Sequence, residues 1–136
     1  MSREWYQKSE SKLGQWQREL EERSGSSTFC ILPWIHMATR PNGDMRICCV
    51  ANASGADTGE YDVGLVKEQE GKPVNFQNTR PSEAFNNEYM KSTRRAMLNG
   101  NIPSSCTKCF DEERKGIVSK RIWETGTWIY EEEADL

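Results

Sequence analysis

The chain has 136 residues, enough for one compact domain with some irregular or terminal structure to spare. Hydrophobic residues make up 35% and the mean hydropathy is -0.84, polar for a self-sufficient globule, so either part of the chain is disordered or some apolar surface serves a partner. A net charge of -3 and a pI near 5.3 argue against a general nucleic-acid binder, no apolar run approaches a membrane span, and the charged N-terminus lacks a signal peptide's apolar core; a cytoplasmic location without nucleic-acid or membrane partners is expected.

From Arg3 to about Arg23 the pattern predicts a helix, with Trp5, Leu13, Trp16 and Leu20 along one side, weakened by Ser9 and Gly14. Ser24-Gly25-Ser26-Ser27 ends it as a flexible joint. A polar helix with two tryptophans is suited either to docking elsewhere or to packing on its own domain. Trp34 to Cys49 reads as a β-hairpin whose turn is Arg40-Pro41-Asn42-Gly43, since Pro fixes φ and Asn-Gly tolerates positive φ. Ala51 to Thr79 is loop-like, with Val63-Gly64-Leu65-Val66 as a short strand at most. After Pro81, Ser82 to Asn86 forms a short turn, and Asn87 caps a helix ending at Asn99 with Gly100 as the stop. Tyr89, Met90, Met97 and Leu98 are expected to face the core. Pro103 breaks the chain, Phe110 to about Trp123 is helical, and the acidic end from Glu131 to Leu136 is frayed.

Five cysteines are a heavy load for this length. An odd number without a signal sequence disfavours disulfides and favours thiolate metal ligands. Cys106-Thr107-Lys108-Cys109 places two sulfurs within reach of one metal, yet alone it fits a redox dithiol, a zinc knuckle or an iron–sulfur site. A thioredoxin-like reading needs a βαβ setting that the pattern lacks. The hairpin supplies a second pair, because a tight turn at Asn42-Gly43 brings its open ends, near Cys30 and Cys48, together. Cys30, Cys48, Cys106 and Cys109 thus form one four-thiolate set, suited by ligand type to one Zn2+ or to a 4Fe-4S cluster. The unequal spacing tilts the choice slightly to iron–sulfur. Cys49 is the alternate, since neighbours on a strand point to opposite faces and one of the two must be spare.

More than the cysteines is informative. Cys30, twelve residues, Gly43, four residues, Cys48 and a distant Cys106-x-x-Cys109 resemble the twitch domain, the shortened SPASM domain. These are auxiliary 4Fe-4S domains of radical SAM (S-adenosyl-L-methionine) enzymes. Phe29-Cys30-Ile31-Leu32-Pro33-Trp34-Ile35-His36, Pro41-Asn42-Gly43 and Cys48-Cys49 are similar to the opening of a bacterial and phage subgroup in which this domain precedes the catalytic barrel. So are Met97-Leu98-Asn99-Gly100, Pro103, Cys106, Cys109, Phe110, Glu113, Gly116, Ser119 and Arg121. The likeness spans roughly Thr28 to Arg121 and implies Cys48, rather than Cys49, as ligand, with Cys49 a small buried residue. The Cys-x3-Cys-x2-Cys motif that cleaves S-adenosylmethionine is missing, so the resemblance implies an accessory module working with a radical SAM core on another or a missing segment, and with its peptide or small-molecule substrate. No catalytic residue is assigned.

The expected class is α+β: a small hairpin-based sheet with flanking helices around the four cysteines. Residues 1–27 form the helix and joint, 28–123 the iron–sulfur domain and 124–136 an acidic tail. The alternatives are a structural zinc-binding interaction module on the same four cysteines and a thiol–disulfide enzyme using Cys106 and Cys109. His36 is expected to be a packed or hydrogen-bonded strand residue, Asp111, Glu112 and Glu113 the solvated first turn of a helix, and Lys91, Arg94, Arg95 and Lys108 a solvated basic face.

Overall fold

In the computed structural model, which describes residues 3–51 and 64–131 and the side chains of 13–51 and 64–127, helix α1 spans Arg3–Ser24 as the pattern predicts. Leu13 and Leu20 share one helical face and are buried against Ile122 of the last helix, α6 (Lys120–Glu131), with Trp16, Phe29 and Val118 at the margin. The described part of α1 therefore packs on its own domain; the side chain of Trp5 lies outside the described residues. The Ser24–Ser27 stretch is a bonded cap rather than a flexible joint. Gly25 takes φ +78° and donates to Glu21 O at 2.8 Å, while Ser24 Oγ donates to Leu20 O at 2.7 Å. Ser26 and Thr28 are buried and donate to Met97 O at 2.5 and 2.8 Å.

The expected hairpin is present but shorter. Pro33 sits in the first turn of helix α2 (Leu32–Ile35), where its fixed φ suits a helix, so Trp34 and Ile35 leave the strand. Strand β1 (Ala38–Thr39) pairs antiparallel with β2 (Met45–Arg46), Ala38 opposite Arg46 and Thr39 opposite Met45. Cys30 thus precedes α2, and Cys48 lies just beyond β2. The region read as loop is partly ordered on the far side of β2. Val66 N donates to Met45 O, Met45 N to Val74 O, and Val74 N to Val66 O, which buries Leu65, Val66 and Val74 fully.

Gly43 holds the hairpin turn at φ +96°. A Cβ there would lie 2.9 Å from Asn75 Oδ1, and Asn75 Nδ2 donates to Asn42 O and Asp44 Oδ1, each at 3.0 Å. Gly43→Ala is therefore expected to cost about 1–3 kcal/mol of stability. The check is a lower urea midpoint at unchanged m value, and an unshifted midpoint would refute the strain argument.

Helix α3 (Pro81–Phe85) and α4 (Glu88–Leu98) follow the expected breaks: Asn87 Oδ1 accepts from Met90 N at 2.9 Å, and Gly100 turns the chain at φ +80°. Met90 and Met97 enter the main core with Leu32, Met45, Ile47, Val66, Val74 and Ala84, and Tyr89 packs at its edge. Leu98 does not face the core as expected; one step round the helix from Met97, it is half exposed.

The single helix expected from Phe110 to Trp123 is two. After a 3-10 turn over Ser104–Cys106, α5 spans Thr107–Arg114 and α6 starts at Lys120. Gly116 at φ +80° terminates the first, and Ser119 Oγ caps the second by accepting from Ile122 N at 3.2 Å. The helix then runs to Glu131, across the boundary at 124 where an acidic tail was expected to begin; residues 132–136 lie outside the described residues. Helices and a two-stranded antiparallel sheet make the class α+β, and among the described residues no helix is long and apolar enough to cross a membrane.

Candidate metal centre

Four segments meet at one pocket. The turn before α2 brings Cys30, the end of β2 brings Cys48, the 3-10 turn brings Cys106 and the first turn of α5 brings Cys109. The pocket has a cavity volume of about 20 Å³, and its other walls are mainly apolar, including Leu32, Pro33, Ile47, Val50 and Met97, with Lys108, Lys120 and Arg121 supplying positive charge. Cys30, Cys48 and Cys109 are buried, Cys106 is half-buried, and all are free thiols. Cys49 does not line the pocket, but it is exposed and not the small buried residue that was expected, because its side chain points away from the buried Cys48 beside it.

The pocket resists bare thiolates. Burial pushes the Cys30 thiol up to about 12, with Cys106, Cys48 and Cys109 adding repulsion. Burial does the same to Cys106, again to about 12, with Cys48 and Cys109 contributing. Burial also raises Cys48 and Cys109. That mutual repulsion is a measure of how closely the four converge. A cationic group that takes four thiolates would relieve it while releasing protons.

Hydrogen-bond donors are already aimed at the sulfurs. The backbone N–H of Leu32 bonds Cys30, those of Val50 and Ala51 bond Cys48, and that of Arg121 bonds Cys109. Ser105 Oγ stands 3.9 Å from the Cys106 sulfur. Each of these favours the ionised sulfur, as donors just outside the ligand set do around metal centres. Arg46 secures the Cys48 segment, bonding Cys48 O at 3.4 Å and also Ala51 O.

Behind the pocket lies a buried ion pair that local spacing did not reveal. Glu113 was expected in the solvated first turn of a helix; it falls in the last turn of α5 and is buried. Its Oε2 accepts from Arg121 Nε at 3.0 Å and Ser119 Oγ at 2.7 Å, while Oε1 accepts from Gln17 Nε2 at 3.0 Å and from Arg121 Nη2. Arg121 Nη1 donates to Phe29 O at 2.9 Å, beside Cys30, and the guanidinium stacks 4.4 Å from the Phe110 ring centroid. Thr125 Oγ1 fixes the same segment by accepting from Ile31 N at 3.1 Å. Asp111 remains exposed, in contact with Arg114.

The basic face is likewise not all solvated. Arg94 bonds Pro33 O at 2.9 Å and also Phe85 O, and lies 4.6 Å over the Phe85 ring; Arg95 pairs with Glu88, and Lys108 with Glu112 at 3.8 Å. His36 follows α2 rather than lying in a strand. It is half-buried, and its Nε2 is buried with no hydrogen-bond partner among the described residues, so it is a packed histidine outside the strand rather than a hydrogen-bonded one in it.

Fit to a metal depends on scale. Among the described residues, no three Cys, His, Asp or Glu side chains stand close enough to hold one metal ion. A tetrahedral zinc site with Zn–S of about 2.3 Å requires sulfurs nearly in contact. The four cysteines instead line one small pocket together. Comparison with protein-family models, with curated proteins and with solved structures gives no match.

Proposed function

We propose that the chain holds a 4Fe-4S cluster on Cys30, Cys48, Cys106 and Cys109 and acts as a twitch/SPASM-like accessory module for a radical SAM core carried on another chain or segment. The observation that supports this reading is the set of four free thiols lining one largely apolar pocket. The cluster, when bound, supplies one-electron chemistry. The protein's share is ligation, charge and exclusion of water. Four thiolates complete the ligand set and leave no position for substrate on the metal, so electron transfer or a structural role is favoured over direct substrate ligation. Backbone N–H groups and the Arg121 guanidinium offset the negative charge, and the apolar wall limits solvent access.

The test is anaerobic purification with iron, sulfide and zinc analysis and absorption spectra before and after dithionite. About four irons and four sulfides per chain, with a broad visible band that bleaches, are expected for this cluster type. One zinc without sulfide would overturn the cluster and leave a structural or interaction module. A full cluster whose EPR signal changes on adding substrate would overturn the fully ligated, electron-transfer reading alone.

A further inference from the structure

Cys48 and Cys49 are neighbours with opposite surroundings, one buried at the pocket and the other exposed. Beyond β2 the chain closes a tight turn in which Ala51 N donates to Cys48 O at 3.2 Å. Cys48 and Ala51 are the corners of this four-residue turn and are both buried, while Cys49 is its first central residue. The stretch Cys48-Cys49-Val50-Ala51 contains no Gly, Pro, Asn, Asp or Ser, the residues that fix a turn locally, so its register must be set from elsewhere. The Arg46 guanidinium is placed to set it. Its Nε donates to Cys48 O at 3.4 Å and its Nη2 to Ala51 O, so one planar group bonds the carbonyls at both corners. Met45 and Ile47, on either side of Arg46, are fully buried, and their N–H groups bond Val74 O at 2.8 Å and Gly64 O at 3.1 Å. The backbone from which Arg46 reaches is therefore fixed. A turn moved one residue along would carry Cys49 to the first corner and offer the guanidinium the wrong carbonyls.

We propose that Arg46 is a positioning residue that sets the register of the 48–51 turn and thereby selects Cys48 over Cys49 as the sulfur presented to the pocket. The register belongs to the metal-free chain, and its consequence for ligation rests on the iron–sulfur reading above. The donors of a guanidinium lie in one rigid plane, so two bonds fix the distance between the corners as well as their direction. A lysine ammonium is a single point of charge on a flexible stem and cannot span both carbonyls in the same way.

The experiment is thiol labelling of the metal-free full chain with N-ethylmaleimide, read at each cysteine by tandem mass spectrometry, for wild type, Arg46→Met and Arg46→Lys. In wild type Cys49 is expected to react ahead of Cys48. In Arg46→Met the ratio of the Cys49 rate to the Cys48 rate should fall roughly tenfold, the worth of one hydrogen bond to a charged group, with Cys48 faster and Cys49 slower. Cys30 and Cys109 come from other segments and should keep their rates, which separates a shifted turn from a loosened domain. An unchanged ratio, or equal acceleration of Cys30, Cys48 and Cys109, would overturn the proposal. Should Arg46→Met fail to fold, Arg46→Lys decides: a lowered ratio supports the clamp and a wild-type ratio overturns it. Iron content tests the consequence. Cys48→Ala should hold little iron alone and regain it when combined with Arg46→Met, since Cys49 can then take the corner; no gain would overturn the selection of ligand. Zinc, or no metal, in a wild type whose labelling behaves as expected would sink the cluster and leave the register standing.

Discussion

Cys30→Ala is expected to weaken metal binding by more than the roughly 10–100-fold in affinity that loss of a partner outside the ligand set costs, seen as less iron bound per chain. Cys30 is the most buried of the four and feels all three other sulfurs, so no other side chain of the pocket wall can replace it. Its thiol, pushed up to about 12, stays protonated in the metal-free fold, and only the metal itself draws off the proton. Cys49→Ala provides the contrast: the exposed sulfur lies outside the pocket and its removal should leave iron and sulfide unchanged. The measurement is metal and sulfide content after reconstitution under one protocol, with circular dichroism to verify folding. Loss of metal in Cys49→Ala together with retention in Cys48→Ala would exchange the roles of these neighbours. Retention of dithiol turnover in Cys30→Ala, with no metal in the wild type, would instead favour a thiol–disulfide enzyme on Cys106 and Cys109.

The sequence made the convergence of the cysteines legible because two local devices produce most of it. Cys-x-x-Cys sets one pair within a single turn, and Pro41-Asn42-Gly43 forces the chain back on itself, with Gly43 at φ +96°. The caps at Asn87 and Gly100 were equally visible, since their chemistry is local. What was misread depends on contacts distant in sequence. Trp34 and Ile35 have strand propensity, but Pro33 and the pairing of Ile31 N with Thr125 commit them to a helix. Phe110 to Trp123 keeps helical composition across a break that Gly116 and Ser119 impose. Glu113 looked like one of three consecutive surface carboxylates, and only the folding of α6 onto α5 gives it Arg121.

Arg121→Met is expected to destabilise the chain by about 3–5 kcal/mol, among the largest effects of any substitution outside the cysteines, because it leaves the Glu113 carboxylate buried without its cation. Both side chains are nearly inaccessible, at 4% and 3% exposure, so water cannot take over. Gln17 and Ser119 still donate to Glu113, but neither carries charge. Glu113→Leu combined with Arg121→Met removes the stranded charge, so the double variant should recover much of the loss on urea unfolding of the metal-free chain. Metal retention should not recover with it. Arg121 also holds Phe29 O beside Cys30, stacks on Phe110 next to Cys109 and brings positive charge to the pocket wall, and a methionine supplies none of these. The double variant is therefore expected to unfold at a midpoint nearer that of wild type yet to release iron faster to a chelator. Full recovery of both would make the ion pair a purely structural element. Recovery of stability alone would identify Arg121 as the residue that couples the packing of α1 and α6 to the four sulfurs.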